Sequence, residues 1–165
     1  MNDLTEFNSS NLESQLMHYA VSEVYLERMM KDIKSEWIIN DYHNAIFEIV
    51  SEYYLTSGRM PNQDIVSLKL KQVFDERDAN RAMNYYNGLL NYKNELHDNQ
   101  YTISKNAVES HWIENHLKFA MGDALSEIHS KNGKEALEIL EKNVEKLRYN
   151  TSETKIIVSC VISPR

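Results

Sequence analysis

The sequence contains a single cysteine, two prolines and four glycines. One cysteine, Cys160, excludes an internal disulfide framework and is typical of a reducing cytoplasm. So few prolines and glycines disfavour architectures that are rich in loops or β-turns. No apolar run approaches the ~20 residues that span a bilayer, and the polar first ten residues are not a signal peptide. We therefore expect a cytoplasmic protein built mainly from helices.

Basic residues are also scarce relative to acidic ones. The chain has 18 Lys and Arg against 25 Asp and Glu, for a formal net charge of −7. Because contacts to nucleic-acid phosphates need clustered Lys and Arg, this balance disfavours tight, direct binding of nucleic acid. What is abundant is tyrosine and methionine, with ten and seven residues. These residues suit either adaptable core packing or an association surface.

Apolar residues that recur at three- and four-residue spacing predict an all-α fold, a small globular helical bundle followed by a long antiparallel helical hairpin. At 165 residues the chain is long enough to bury a core without disulfides or metals. We expect a flexible leader at 1–10, a globular head at 11–100, the hairpin at 101–148 and a tail at 149–165. The tail is rich in β-branched and apolar residues. It could form an edge strand, act as an adhesive apolar tail, or lie outside the fold, and these alternatives stay open.

Polar residues that cap helix ends divide the head into helices. Ser10 and Glu13 match the S-x-x-E capping box, so the first helix is predicted to begin there. Ser22 is predicted to cap a second helix that extends to Trp37. The charged segment 75–80 is predicted to separate two later helices, whereas 91–100 fits either a helix extension or a bridge. The apolar positions expected on buried faces include Leu16, Ala20, Leu26, Met29, Val66, Leu70, Ala82, Tyr86 and Leu89.

The stretch DYHNAIFEIVSEYYLTSGRMPNQDIVSLKL predicts a helix, a turn and a second helix. Asn40 or Asp41 begins the first helix. Gly58 suits the left-handed position after a helix end, and Pro61 prevents the helix from continuing. Asn62 is predicted to cap the helix that follows. The stretch is rich in Tyr, Phe and Ile but contains no recognisable catalytic set.

The last third of the chain has the clearest helical pattern. A long helix is predicted from about Ile103 to His129, S-K-N-G breaks it, and a second helix follows with a coiled-coil-like seam. Two helices joined by a short glycine turn form an antiparallel hairpin, whose open apolar faces need another copy or the head to cover them. The predicted oligomer interface consists of Ile113, Leu117, Met121, Ala124, Ile128, Leu137, Leu140, Val144 and Leu147.

No pattern predicts catalysis, a cofactor or a metal site. His111 and His116 are five residues apart, about 140° around a helix, unlike the H-E-x-x-H arrangement that places two imidazoles on one face. Cys160 has no neighbouring base, and carboxylates such as Glu48 lie on polar helix faces. The nearest string to a phosphate-binding loop begins at Asn132, but it lacks the first glycine and the final Ser or Thr. We expect that this chain by itself does not hydrolyse ATP.

Short motifs follow one another in a specific order: I-K-S-E-W, then D-Y-H-N-A-I-F, then S-G-R-M-P. This order resembles the N-terminal domain of DnaB-type replicative helicases, in which an aromatic residue precedes an H-R-x-I-F helix and a G-x-x-P-D turn. The resemblance covers roughly residues 11–148 and includes the hairpin, particularly that of phage members. The positions that match the family motifs are Trp37, His43, Ile46, Phe47, Gly58 and Pro61.

The sequence departs from the family pattern at several points. Asn44 replaces the usual arginine, Asn62 stands near the usual aspartate, and the segment 75–100 does not align. The family's ATPase domain, with its phosphate loop, has no counterpart. The resemblance therefore implies a non-catalytic collar domain, because in this family the N-terminal domains dimerise through their hairpins above the motor ring. Its implied partners are other copies, a helicase motor domain, and primase or a helicase loader, in the bacterial cytoplasm.

Other interpretations stay open. A free-standing phage regulator with the same fold would bind or inhibit a helicase or primase by mimicking the collar. Whether the chain is a complete protein, a split-gene product or an excised domain stays open. If the chain is an enzyme of unrecognised class, we expect a polar pocket with buried titratable residues. If the chain is a helical DNA-binding protein, we expect it to bind oligonucleotides with an affinity that falls as salt rises.

Overall fold

The computed structural model describes residues 2–150, with side chains from residue 11 onward. Within that range the predicted all-α class is confirmed, since it contains helices and no strand. The elements are α1 (Asn2–Ala20), α2 (Glu23–Asp32), a 3-10 turn (Ser35–Trp37), α3 (Asp41–Ser57), α4 (Gln63–Val73), α5 (Glu76–Leu90), α6 (Asp98–His129) and α7 (Gly133–Asn150).

The chain divides into two compact units, residues 1–108 and 109–165. The division falls after the boundary at 100/101 that we predicted. Tyr101, Ser104 and Val108 lie at three- and four-residue spacing on α6, and all three are buried. The first three turns of α6 therefore contribute to the first unit, which we call the head. We call the second unit the C-terminal unit.

The start of the first helix was predicted wrongly. α1 begins at Asn2, so residues that we expected to form a leader are helical, and Ser10 lies inside the helix. Glu13 consequently does not serve in a capping box. Its carboxylate instead accepts hydrogen bonds from residues near the start of α3.

The second helix is shorter than predicted. Ser22 does occupy the position before α2, but its side chain makes no capping hydrogen bond. α2 ends at Asp32, and Ile33 is extended. Trp37 therefore lies on the separate 3-10 turn, where it is 2% exposed.

The predicted caps around α3 and α4 are confirmed. The Asn40 side chain accepts hydrogen bonds from the backbone N–H groups of Tyr42 and His43 at 3.0 and 3.2 Å. Gly58 ends α3 in the left-handed conformation, with φ of 68°. Asn62 accepts from the Ile65 N–H at 2.9 Å and begins α4. All these bonds join residues within four positions of each other, so the sequence alone predicts them.

The charged segment 75–80 is not a separator, which corrects our prediction. Asp75 accepts a hydrogen bond from the Asp78 N–H at 2.8 Å and caps α5, which begins at Glu76. The acidic residues of this segment thus lie at the start of α5, where their negative charge interacts favourably with the positive end of the helix dipole. The segment 91–97 is a connection, and α6 begins at Asp98.

The head core forms where α1, α3 and α5 meet. α1 packs against α2, α3 and α5, while α3 also packs against α4 and the 3-10 turn, and α4 packs against α5. Each fully buried Leu, Ile, Phe or Met contributes about 1.5–3 kcal/mol of transfer free energy. The core includes Leu16, Met17, Leu26, Met29, Trp37, Ile46, Phe47, Val50, Val66, Leu70, Ala82 and Tyr86.

The turn between α6 and α7 spans residues 130–132. The Asn132 N–H donates to the Glu127 carbonyl at 2.9 Å, and the Lys131 N–H donates to the Ile128 carbonyl at 3.0 Å. This pair of bonds is the Schellman motif, which needs one left-handed residue. Lys131 fills that position with φ of 69°, whereas Gly133, the glycine that we expected to make the break, lies in α7.

The apolar tail segment, including Cys160, lies outside the described residues. Within residues 2–150, none of the helices has both the length and the apolar character that crossing a bilayer would require.

Candidate assembly surface

The family-motif positions all lie in the head. Trp37, His43, Ile46 and Phe47 are at most 5% exposed, and Pro61 is also buried. Gly58 is exposed at the end of α3. Their placement gives most of these residues a packing role, with no group directed at a ligand.

His43 forms a buried pair with Glu13. The Nδ1 atom of His43 lies 2.8 Å from Oε1 of Glu13, and each residue is less than a tenth exposed. The backbone N–H groups of Asn40 and Ile39 donate to the same carboxylate at 3.0 and 3.2 Å. The Tyr85 ring stacks on the imidazole with centroids 4.7 Å apart. We call Glu13, His43 and Tyr85 the latch, because they join α1, α3 and α5.

The latch sets the ionisation of two of its members. Burial by itself raises the pKa of Glu13, but the hydrogen bonds from His43, Asn40 and Ile39 and the charge of His43 together hold that pKa below its ordinary value. Burial raises the pKa of Tyr85 to about 12. Glu13 is therefore a carboxylate anion that is stabilised by hydrogen bonds from three groups of the protein itself.

Neither residue of the buried pair lines either of the two larger surface cavities described on the head. The carboxylate of Glu13 is already occupied by three donors. The pair thus joins α1 to α3 through hydrogen bonds.

Asn44, which replaces the family's arginine, holds the 3-10 turn. Its side-chain amide donates to the carbonyl of Ser35 at 2.6 Å and to that of Ile38 at 3.3 Å. These bonds fasten the segment that carries Trp37 onto α3.

A polar and aromatic cluster fixes the beginning of α6 in the head. The Tyr25 hydroxyl donates to Asp98 at 2.7 Å, and the Tyr101 hydroxyl donates to Asp32 at 2.8 Å. The Arg28 guanidinium lies 4.6 Å from the centre of the Tyr101 ring and 3.6 Å from the Asp98 carboxylate. No sequence pattern predicts this cluster, because its hydrogen-bonded partners lie up to 73 residues apart in the chain.

In the C-terminal unit, α6 presents a continuous apolar stripe to solvent. Leu117, Met121, Leu125 and Ile128 follow one another at four-, four- and three-residue steps, which places them within roughly 80° of each other around the helix. Each is between 37% and 57% exposed. We call these four residues the α6 stripe. Leu125 was not among the predicted interface residues, although its four-residue spacing from Met121 was visible in the sequence.

The other predicted interface residues differ in exposure. Ala124 of α6 and Leu147 of α7 are buried in the C-terminal unit, as are Ala120 and Ala136. Ile113, Leu140 and Val144 are half-buried, and Leu137 is exposed. The predicted seam thus contains both buried and exposed residues.

Two histidines of α6, His111 and His116, contact residues of the same helix. His116 Nδ1 lies 2.9 Å from the Trp112 carbonyl, and its ring packs 4.2 Å from the Trp112 ring. His111 Nε2 lies 3.3 Å from the Asn115 amide. Among residues 2–150, no three His, Cys, Asp or Glu side chains converge in a way that would hold a metal ion.

Comparison with known proteins adds no relative. No family model matches the chain, and no curated protein or solved structure is similar to it.

Proposed function

We propose that this chain is a non-catalytic collar domain of a replicative helicase, which associates with other copies and docks primase or other replication proteins. The proposal is supported by the order of the head motifs and, above all, by the exposed α6 stripe. Four large apolar residues on one face of one helix form a contiguous patch, and such patches are typical of protein–protein contact sites.

The expected strength of association follows from the exposure of the stripe. Complete burial of a Leu, Ile or Met side chain contributes about 1.5–3 kcal/mol, so covering the exposed half of four side chains contributes roughly 3–6 kcal/mol per copy. Two copies together contribute roughly 6–12 kcal/mol, while association costs about 4–15 kcal/mol of lost freedom. At the favourable end of these ranges, about 12 kcal/mol gained against about 4 kcal/mol lost leaves about 8 kcal/mol, which corresponds to a micromolar Kd. Association of that strength needs the whole stripe, so a single buried charge should abolish it.

Sedimentation velocity across low to high micromolar concentrations tests this proposal. We expect dimers or larger rings for the natural chain and a monomer for Met121→Asp, because an unpaired carboxylate in an apolar contact is strongly unfavourable. Phe119→Asp is the matched control. Phe119 is 75% exposed on the same helix but lies roughly 160° around it from Met121.

Two results would count against the proposal. A strict monomer at high micromolar concentration would remove self-association, and equal effects of the two variants would place the contact elsewhere on α6. Co-elution with replication proteins from the same source separates the collar domain from the regulator that mimics a collar. We expect a collar domain to associate mainly with other copies of itself. A regulator should instead co-elute with the helicase or primase of the same source.

A further inference from the structure

The exposed face of α3 lies between two surface grooves of the head. A cavity of about 400 Å³ between α2 and α3 is lined by Met30, Ile33, Phe47 and Leu55. A second cavity, of about 350 Å³, lies between α3 and α4, and its apolar wall includes Ile49, Val73 and Phe74. We call these the α2/α3 groove and the α3/α4 groove.

The ridge between the two grooves is acidic. Glu48 and Glu52 line both grooves, whereas Asp41 and Lys69 line the α3/α4 groove, so the charged residues that line the α2/α3 groove are all acidic. Glu48 and Glu52 are exposed, and no salt bridge involves either carboxylate within the described part of the chain. At four-residue spacing on a helix, two such carboxylates repel one another. A cationic partner would relieve this repulsion.

The rims of the grooves expose apolar surface. Leu55 is 73% exposed beside the α2/α3 groove, and Val73 is 61% exposed beside the α3/α4 groove. From Phe47 to Leu55 the α2/α3 groove follows α3 for eight residues, which is about 12 Å of helix. This length fits two turns of a second helix with apolar residues at positions i, i+4 and i+7.

We infer that the face formed by Glu48, Glu52 and the α2/α3 groove docks a basic amphipathic helix of a partner protein. The apolar anchors of that helix enter the groove between α2 and α3, and its Lys or Arg side chains pair with Glu48 and Glu52. A second copy of this chain is a poor occupant of this acidic face, because its acidic residues outnumber its basic ones by 25 to 18, whereas the apolar α6 stripe offers copies a contact without charge. The inference concerns the head and does not depend on the α6 stripe or on the helicase assignment.

Selection from a library of random 16-residue peptides displayed on phage, with the full chain as bait, tests the inference. We expect the selected peptides to be rich in Lys and Arg and to carry apolar residues at helical spacing. The two best peptides are then synthesised, and their affinity is measured by fluorescence anisotropy. Because Glu48→Lys/Glu52→Lys replaces attraction by repulsion, we expect it to weaken binding at least ten-fold, and raised salt to weaken binding to the natural chain.

Matched variants separate the groove from general charge. Glu114→Lys makes a similar change at an exposed position of α6 outside the head and should leave peptide affinity unchanged. Leu55→Ala should weaken binding without altering charge. Circular dichroism melts verify that every variant folds.

Selected peptides that are neutral or acidic would overturn the inference. So would peptides that bind Glu48→Lys/Glu52→Lys as tightly as the natural chain. A change in the sedimentation of Glu48→Lys/Glu52→Lys without peptide would identify a second copy as the occupant and also overturn it. Since Met121→Asp leaves this face intact, it should abolish self-association without affecting peptide binding, so the two proposals fail independently.

Discussion

Replacing Glu13 by glutamine is the sharpest test of how the head is held together. The substitution keeps the shape of the side chain but exchanges one acceptor oxygen for an NH₂ group. If the remaining oxygen still accepts from Asn40 and His43, the NH₂ group faces the N–H of Ile39, and a buried backbone donor loses its partner.

The cost can be estimated bond by bond. A buried donor left unsatisfied costs about 1–3 kcal/mol. The two remaining bonds lose their charge assistance, which halves them and removes roughly 1 kcal/mol each. Relief from burying a carboxylate offsets part of this loss. We therefore expect Glu13→Gln to lower the free energy of unfolding by about 2–4 kcal/mol, or Tm by about 10–20 °C for a domain of this size.

The pH dependence provides an independent check. Because the pKa of Glu13 is lower in the folded than in the unfolded chain, its contribution is fully present above the ordinary glutamate pKa of about 4.3 and is lost as pH falls through the folded pKa. The stability difference between the natural chain and Glu13→Gln should therefore shrink as pH falls below about 4.3.

Thermal and urea unfolding monitored by circular dichroism give both quantities. Glu36→Gln is the isosteric control, because Glu36 is exposed on the neighbouring 3-10 turn, and it should change stability by less than about 0.5 kcal/mol. A Glu13→Gln variant as stable as this control at pH 7 would show that the latch does not anchor α1 to α3.

Three further substitutions test the turns and the cluster at the start of α6. Lys131→Gly should raise the free energy of unfolding by about 1 kcal/mol, because Lys131 has φ of 69° and glycine adopts that conformation without strain. Gly58→Ala should lower it by about 1 kcal/mol; an added Cβ meets no atom within 4 Å, so the loss comes from the backbone alone. Tyr101→Phe removes the hydrogen bond to Asp32 and should cost about 1 kcal/mol, whereas Tyr92→Phe at an exposed ring should cost nothing measurable. Urea unfolding measures all of these changes, and a change of opposite sign in any variant would contradict the geometry behind it.

The sequence by itself determined the helical class, both ends of α3 and the start of α4. Asn40, Gly58 and Asn62 interact with backbone groups within four residues of themselves. Because the groups that set these helix boundaries are close in sequence, the sequence is enough to predict them. The same local rules misplaced the start of α1 and the break after α6. Ser10 and Glu13 matched a capping box, but Ser10 lies inside α1 and no such box forms. Gly133 matched a helix stop, but Lys131 takes the left-handed position instead.

Only the tertiary structure decided the role of Glu13 and the surroundings of Tyr101. The partners of Glu13 lie 26 to 30 residues away, and the partner of Tyr101 lies 69 residues away. Whether a residue on an apolar helix face is buried or exposed is decided in the same way. Periodicity placed Leu117 and Ala124 on the apolar face of α6 and Leu147 on that of α7, but burial separated the first from the other two. A helical period specifies which side chains share a face, whereas what covers that face depends on residues distant in the chain.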